Sequence, residues 1–376
     1  MDTQTAFTQL NDLCAERNGG QVLFATDDWF AVAENLIKEE PPEWREGEFT
    51  ECGKWMDGWE TRRRRTPGHD WAILRLGVPG VLRGVTVDTA YFTGNFAPRF
   101  SLQAANLSRK DEACIPSRDS HIGNAATPEM MKEIQQLDSQ HWTEIVPMTA
   151  LKPGYPETRY NHFTINSDET WTHVRLNMFP DGGIARLHLY GEARPDWKRF
   201  NINKLVDLLL MKNGGVCLGC SDAHFGHPRN IIRPGPGINM GDGWETARRL
   251  DRPAVLEEDA RGILQVLGSE WAIFRMGHPG TIGMVEVDTA HFKGNYPDSI
   301  RIEGVYFDHQ VEDTVMCENN NVPWKTLLPP QKLFPHKQHL FSKDQLRSKG
   351  PFTHVRVTIA PDGGISRLRL WGYVEV

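Results

Sequence analysis

The 376-residue chain has few cysteines and no long apolar run. Six scattered cysteines are too few for a disulfide framework, which favours a reducing compartment. The sequence has no run of 18 apolar residues, the length that would suggest a membrane-spanning helix. The polar residues 1–4 have neither the charged nor the apolar region of a signal peptide. Residues 374–376 are not a peroxisomal tripeptide. We therefore expect a soluble, intracellular protein in the cytoplasm.

The chain also lacks an excess of basic residues, since acidic residues outnumber them by 49 to 42. The formal net charge is -7 and the sequence pI is about 6.1, with one basic run, the four arginines at 62–65. Nucleic acids and anionic membranes attract proteins with clustered positive charge, so neither is an expected partner. The sequence also has no phosphate-binding loop, no Gly-x-Ser-x-Gly elbow and no dinucleotide fingerprint.

What the chain does contain is an internal repeat. The motif Asp-Gly-Trp-Glu-Thr at residues 57–61 returns at 242–246. The other matched segments are 71–73 with 271–273, 87–90 with 287–290, 94–95 with 294–295, and 180–184 with 361–365. Such self-similarity indicates a duplication. Because one hydrophobic core seldom serves so long a chain, we predict two domains, residues 1–195 and 196–376.

Each copy begins with an apolar stripe before a glycine pair. Leu10 and Leu13 lead the first copy, and Leu205, Leu208 and Leu209 lead the second, which predicts one short helix at the start of each. Short β-branched or alternating segments bounded by Pro-Gly and Pro-Asp-Gly-Gly turns then predict strands. The fold class is therefore all-β, with two tandem jelly-roll β-sandwich domains.

Changes in the spacing between matched segments place three insertions. The first copy has ten extra residues between 20 and 57 and eighteen between 95 and 142, whereas the second has fifteen between 246 and 271. Insertions are typical of surface loops. The polar stretch 117–140 is expected to be mobile.

The order of these motifs resembles the discoidin or galactose-binding jelly roll, in which ligands bind to loops at one end. Taken together, residues 57–65, 87–95, 219–226 and 239–246 and the two Pro-Asp-Gly-Gly-Ile turns resemble the allantoicase family. The resemblance extends from about residue 19 to 372. It implies an amidohydrolase that converts allantoate and water to ureidoglycolate and urea, a step of purine breakdown.

The implied substrate is a small carboxylate with two ureido arms on one carbon. It needs an arginine for the carboxylate, acceptors for ureido N–H groups, and acid-base groups. Arg63 and Arg64, matched by Arg248 and Arg249, follow the Trp-Glu-Thr motif and are candidate substrate-binding residues. Local salt bridges are an equally reasonable role for these arginines.

Glu60 and Glu245 are candidate catalytic residues within the same motif. Either carboxylate could accept ureido protons or act as a general base if burial beside tryptophan raised its pKa, or could simply cap the turn. Asn95 and Asn295 follow glycine in predicted loops and could bind a ureido group, although asparagine also suits a left-handed turn.

Unmatched histidines separate the two copies. At positions where the first copy has other residue types, the second has His224, His227, His278 and His291. Since histidine transfers protons near neutral pH, we hypothesise that Asp222, His224 and His291 form a catalytic pair or triad in the second copy. Sequence drift between the copies is the alternative.

The sequence gives little support for a bound metal or cofactor. Cys217, Cys220, His224 and His227 have the right residue types for zinc, but their spacing is tighter than in known zinc sites. No metal ligand set and no cofactor is predicted, and the sequence leaves open a divalent metal and a homo-oligomer.

Two other functions fit the same fold. One is a tandem module that binds a carbohydrate or another small polar ligand, and the other is a family member without catalytic activity. The charged Trp-Glu-Thr turn argues against a sugar platform, which would more simply use exposed aromatic rings.

Overall fold

A computed structural model describes residues 3–308, 313–319 and 321–375. The chain divides into two compact units, Met1–Arg194 and Pro195–Val376. In the part described, no helix is long and apolar enough to cross a membrane. Each unit is described separately below.

The first unit is built from antiparallel strands. In chain order these are β1 Asn11–Asp12, β2 Gln21–Ala25, β3 Asp27–Asp28, β4 Phe49–Thr50, β5 Gly53–Lys54, β6 Trp59–Glu60, β7 Asp70–Asp88, β8 Arg99–Ala105, β9 Asn124–Ala125, β10 Thr143–Ala150, β11 Tyr160–Thr164, β12 Thr170–Phe179, β13 Gly183–Ile184 and β14 Arg186–Ala193. Its main sheet has the order β1-β14-β7-β12-β8-β10, and β2 and β11 also pair with β7.

The second unit repeats this arrangement. Its strands are β15 Val206–Asp207, β16 Val216–Cys220, β17 Trp244–Glu245, β18 Glu270–Asp288, β19 Ser299–Val305, β20 Lys325–Lys332, β21 Gln338–Ser342, β22 Phe352–Ala360, β23 Gly364–Ile365 and β24 Arg367–Val374. The main sheet has the order β15-β24-β18-β22-β19-β20, with β16 and β21 paired to β18. The predicted all-β fold of two tandem domains is confirmed.

Helices are short in both units. The α-helices are α1 Arg109–Glu112, α2 Pro128–Gln135 and α3 Asp313–Glu318. The 3-10 helices are Thr3–Gln9, Glu16–Asn18, Ala33–Ile37, Ser139–His141, Trp197–Arg199, Met211–Asn213, Pro228–Ile232, Met240–Asp242 and Lys343–Gln345.

The long strands β7 and β18 connect the layers of each unit. Residues 70–75 of β7 pair with β2 and β12, and residues 80–88 pair with β14 and β11, while β12 also pairs with residues 80 and 81. We expected the Pro-Gly pair at 79–80 to form a turn between two strands, but it lies inside β7. Proline has no N–H to donate, so it is tolerated where the strand changes neighbours.

The predicted leading helices are only partly correct. The first unit begins with the 3-10 helix Thr3–Gln9, but Leu208 and Leu209 of the second unit follow the short strand β15. Both are fully buried, so their spacing reflects core packing instead of an α-helix. The glycine pairs do act as expected, since Gly19 and Gly214 cap short 3-10 helices in the left-handed conformation.

The polar insertion at 117–140 includes α2. Thr127 caps this helix by accepting a hydrogen bond from the Met130 backbone N–H. Ile134 is 1% exposed and packs with Phe24, Trp71 and Ile73 on the sheet. Part of the stretch that we expected to be a mobile loop is therefore a helix, which buries its apolar side against the sheet.

Pairing of the short strands forms the candidate site in each unit. β6 of the Trp-Glu-Thr motif pairs with β13 of the Pro-Asp-Gly-Gly-Ile turn, and β17 pairs with β23 in the same register. Two motifs that are more than 100 residues apart in sequence therefore meet at one end of each sandwich.

Candidate ligand site in each repeat

A buried tryptophan anchors each Trp-Glu-Thr turn. Trp59 and Trp244 are fully buried. Their indole N–H groups donate to the backbone carbonyls of Asp27 and Asp222, at 2.8 and 2.9 Å. A fixed indole holds the following residue, a glutamate in both repeats, at the edge of the sandwich.

The aspartate of each Asp-Gly pair is structural. Asp57 accepts from Arg186 at 2.7 Å, and Asp242 accepts from Arg367 at 2.6 Å, with all four side chains buried. A buried carboxylate requires such a partner. These aspartates are therefore not free to contact a ligand.

Each glutamate accepts a hydrogen bond from the asparagine of the Gly-Asn loop. Asn95 Nδ2 donates to Glu60 Oε1 at 2.6 Å, and Asn295 Nδ2 donates to Glu245 Oε1. Burial raises the pKa of Glu60, although the Asn95 hydrogen bond and the charge of Arg63 act in the opposite direction. The structure thus brings together the predicted glutamate and asparagine in both repeats.

In the first repeat, local carboxylates bind the predicted arginines. Arg63 Nη1 lies 2.9 Å from Asp181 Oδ1, and the Arg64 backbone N–H donates to Asp181 Oδ2 at 2.9 Å. The Arg64 side chain pairs with Asp70 at 2.8 Å. Both arginines therefore have the local ionic role that was the alternative to ligand binding.

The second repeat keeps the backbone contact but changes the side-chain partner. The Arg249 N–H donates to Asp362 Oδ2 at 2.9 Å, and the Arg249 side chain pairs with Glu270 at 2.8 Å. Arg252 Nη2 contacts both Asp362 oxygens, at 2.6 and 2.8 Å. Across the described ranges, Arg248 has no hydrogen-bond or ion-pair partner and is exposed.

Arg248 and Glu245 face a shared pocket with a volume of about 270 Å³. The pocket is lined by Phe225, Glu245, Thr246, Arg248, Arg252, Leu264, Gly294, Asn295, Tyr296, Asp298, Pro361, Asp362 and Gly363. Arg252 and Leu264 belong to the fifteen-residue insertion, which has no counterpart in the first repeat. The insertion therefore contributes one wall of the pocket.

Two of the three carboxylates in the pocket already have cationic partners. Asp362 is paired with Arg252, and Asp298 is paired with Lys332. The third, Glu245, accepts from a neutral amide instead. The unpaired charges left in the pocket are therefore one guanidinium, on Arg248, and one carboxylate, on Glu245.

Asp222 has a structural contact in the second repeat. Its carboxylate accepts from the Ala247 backbone N–H at 2.6 Å, in addition to the carbonyl contact with Trp244. Asp27 makes the corresponding contact in the first repeat, accepting from the Arg62 N–H at 3.2 Å. The repetition of this contact indicates that Asp222 fixes the turn after the Trp-Glu-Thr motif.

The two histidines of the hypothesised triad have other neighbours. His224 is exposed and its ring contacts Phe225, whereas His291 Nε2 lies 2.9 Å from the Gly237 carbonyl oxygen. In the described part of the chain, no hydrogen bond or ion pair joins any two of Asp222, His224 and His291. None of the three lines the pocket. The hypothesis of a triad has no geometric support.

The zinc pattern also finds no support in the arrangement of the side chains. The Nδ1 atom of His227 accepts from the Arg229 backbone N–H at 3.1 Å, and burial together with two nearby arginines lowers the pKa of His227 to about 3. Burial raises the pKa of the Cys217 and Cys220 thiols. Among residues 3–308, 313–319 and 321–375, no three His, Cys, Asp or Glu side chains form a metal site.

Sequence reasoning missed Arg252 and the two paired aspartates of the pocket. Asp362 belongs to the repeated Pro-Asp-Gly-Gly motif, which was interpreted only as a turn. Arg252 lies just beyond the matched arginines, inside an insertion. A search for charged residues in the unmatched insertions would have identified it.

Each unit is a β-sandwich with a carboxylate–amide pair and nearby arginines, which defines a duplicated protein with a polar candidate site in each repeat. The model of the allantoicase repeat matches residues 11–194 and 206–375, so that both halves are covered. The chain belongs to the allantoicase family.

Relatives and solved structures agree with this assignment. The chain is 43% identical to a protein of Pseudomonas aeruginosa strain UCBPP-PA14 named probable allantoicase, over 97% of this chain and 96% of that protein. A solved allantoicase structure has 33% identity and a TM-score of 0.70, covering 97% of this chain and 93% of its own. The allantoicase of Saccharomyces cerevisiae has 32% identity and a TM-score of 0.70, with coverage of 98% and 96%.

Proposed function

We propose that this protein is a hydrolase that converts allantoate and water to ureidoglycolate and urea, and that the pocket of the second repeat is its reaction site. Membership of the allantoicase family supports the reaction. One observation carries the choice of site: the unpaired Arg248 guanidinium lies in the same pocket as the Glu245–Asn295 pair.

The pocket matches the chemical groups of allantoate. The Arg248 guanidinium can bind the carboxylate through two parallel hydrogen bonds, a geometry that arginine favours. Glu245 can accept from ureido N–H groups, and the carbonyl oxygen of Asn295 can do the same once its amide group is anchored on Glu245. The substrate is thereby held by its charge at one end and by its amide-like arms at the other.

The proposed reaction replaces one carbon–nitrogen bond by a carbon–oxygen bond. Glu245 takes a proton from water and passes it to the departing ureido nitrogen, so urea leaves with that proton. The water oxygen bonds to the central carbon and becomes the hydroxyl group of ureidoglycolate. A general base typically contributes about 10²- to 10⁴-fold to such a rate, and orientation of the substrate by Arg248 supplies a further part.

The first repeat has a different role in this proposal. Its Glu60–Asn95 pair resembles that of the second repeat, but the Arg63 guanidinium is already paired with Asp181, so a ligand carboxylate would have to share it with that aspartate. We infer that the first repeat binds a neutral ligand group or supports the fold.

The reaction is tested by adding allantoate to the purified full-length protein and measuring urea, with and without divalent metal ions. Urea release above the Glu245→Gln variant is the expected result. If no urea forms under any metal condition, the enzymatic proposal is wrong. Binding of allantoate by calorimetry without urea release would instead identify an inactive relative, and binding of sugars alone would identify a carbohydrate module.

The finer expectations about partners and location stay predictions. We propose allantoate as the small-molecule partner and the cytoplasm as the compartment, which cell fractionation would test. A homo-oligomer remains open, and sedimentation velocity of the purified protein would decide its presence.

A further inference from the structure

The two repeats present their arginine turns on the same backbone framework. Asp181 accepts from the Arg64 N–H and Asp362 accepts from the Arg249 N–H, both at 2.9 Å. The residue before each of these arginines is also an arginine, Arg63 or Arg248. A side chain at this position can therefore reach the aspartate, as Arg63 does in the first repeat.

In the second repeat, Arg252 forms the ion pair with the corresponding aspartate, Asp362. Its Nη2 atom contacts both carboxylate oxygens of Asp362, so the strongest acceptor near Arg248 already has a partner. Asp362 is 7% exposed, which leaves little surface for a second guanidinium. Arg248 remains exposed on the pocket wall, and no ionic partner for it exists in the described ranges.

The insertion that carries Arg252 is fixed at the pocket. The Leu264 backbone N–H donates to Asp298 Oδ2 at 2.9 Å, and Lys332 pairs with the same aspartate. Glu258 and Leu264 form a bridge within the insertion. These contacts fix the far end of the insertion at the pocket, and the ion pair with Asp362 fixes Arg252.

We propose that Arg252 is a positioning residue that makes the second repeat the carboxylate-binding copy, because its ion pair with Asp362 leaves Arg248 free to bind a ligand carboxylate. The inference rests on the proposed function and adds which repeat takes the carboxylate and why. The first repeat has no such insertion, and its Arg63 is neutralised by Asp181.

The physical basis is competition between two carboxylates for one guanidinium. Without Arg252, Arg248 is expected to turn to Asp362 as Arg63 turns to Asp181, and a ligand must then displace that internal partner. Displacing a hydrogen bond between charged groups should weaken the binding of the ligand carboxylate by about 10- to 100-fold.

Calorimetry of the full-length protein with hydantoate tests the inference. Hydantoate carries one carboxylate and one ureido group, and its binding can be measured without turnover. The neutral amide of hydantoate is the matched control ligand, because it lacks the negative charge. The expected result is one carboxylate-dependent site per chain. The Arg252→Met variant should bind hydantoate about 10- to 100-fold more weakly, with no change for the amide. With allantoate, the same variant should raise KM far more than it lowers kcat.

Rescue separates positioning from a structural effect. The double variant Arg252→Met, Asp362→Asn removes the competing charge but keeps an oxygen for the Arg249 N–H, so hydantoate affinity should recover. Arg252→Lys should stay close to the unsubstituted protein. Arg261→Met is the control from the same insertion, since Arg261 pairs with Asp259 and does not line the pocket.

Several results would overturn the inference. They are no hydantoate binding, a second site of equal affinity, unchanged affinity in Arg252→Met, or a folded double variant that does not recover. The proposed function is tested separately by urea release. If urea is released but Arg252→Met binds normally, only the inference fails; if hydantoate binding follows the expected pattern without urea release, only the reaction fails.

Discussion

Glu245 and Glu60 occupy the same place in their repeats. Glu245 shares a pocket with the unpaired guanidinium of Arg248, whereas the matched arginine of the first repeat, Arg63, is paired with Asp181. Glu245→Gln is therefore expected to lower kcat by about 10²- to 10⁴-fold, because the variant keeps the shape but cannot take a proton. Glu60→Gln should lower kcat by less than about tenfold. Initial rates of urea release at saturating allantoate provide the measurement. Equal losses in the two variants would contradict a reaction site in the second repeat.

The buried carboxyl group of Asp28 is expected to make the stability of the first repeat depend on pH. Burial raises the pKa of its carboxyl from 3.8 to about 6, although Arg118 and the Ala33 N–H act in the opposite direction. The folded state then holds this proton more tightly than the unfolded state. The stabilisation that results from protonated Asp28 is fully present below about pH 4 and is lost as the pH rises through about 6. A shift of this size corresponds to about 3 kcal/mol.

The Asp28→Asn variant should lack this dependence. Free energies of unfolding measured by denaturant titration from pH 4 to 7 should fall with rising pH more steeply in the unsubstituted protein. Removal of the guanidinium in Arg118→Met should move the loss to higher pH, since Arg118 lowers the pKa of Asp28. Parallel curves for all three proteins would refute the assignment.

At the scale of single residues, the repeat was the best source of prediction. It selected Glu245, Asn295 and Arg248 as candidates, and the three line one pocket because the matched motifs form a shared turn. Arg252 could not be found in this way, since an insertion has no matched position. The histidine hypothesis relied on proton chemistry and on mismatch between copies, neither of which reports distance; His291 instead contacts the Gly237 carbonyl.

The Pro-Asp-Gly-Gly turn is the element that holds the candidate site together. Gly363 has a φ of +121°, and an added Cβ would lie 2.6 Å from the Asn295 carbonyl oxygen. Its own carbonyl accepts from the Thr246 N–H at 3.1 Å. Gly363→Ala is therefore expected to destabilise the second unit by about 1–3 kcal/mol and to raise KM by moving the Asn295 loop.

Gly294→Ala is the matched control at the same pocket. An added Cβ there would meet nothing within 4 Å, so the free energy of unfolding should change by less than about 0.5 kcal/mol. Thermal and denaturant unfolding of both variants make the comparison. Similar stability of the two would show that the turn tolerates a side chain.

Strands were predictable from the sequence where only one face of the strand is buried. In β22, Val355, Val357 and Ile359 alternate with less buried neighbours, as the period of two predicts. In β12, Arg175 and Asn177 are buried as well, because the insertion containing α2 covers the outer face. Composition alone cannot reveal such a cover, since it depends on tertiary packing.

At the scale of the whole molecule, the duplication determined the domain organisation. Among the described residues, every strand pairing in the two main sheets joins strands of the same unit. The closing strand of the first copy, β14, ends at Ala193, and the two compact units divide between residues 194 and 195. The repeat could not reveal which copy has the carboxylate site, because that depends on an insertion.

We therefore predict that each unit folds independently. A domain of this length can bury about 70% of its surface, and each unit has its own core, including Val85 and Leu189 in the first and Val285 and Leu370 in the second. Fragments 1–194 and 195–376 should each unfold cooperatively in thermal melts followed by circular dichroism. Hydantoate should bind to fragment 195–376 with the affinity of the full-length protein and should not bind measurably to fragment 1–194. An unfolded second fragment would refute folding independence, whereas a folded one that leaves the carboxylate affinity to fragment 1–194 would refute the assignment of the site.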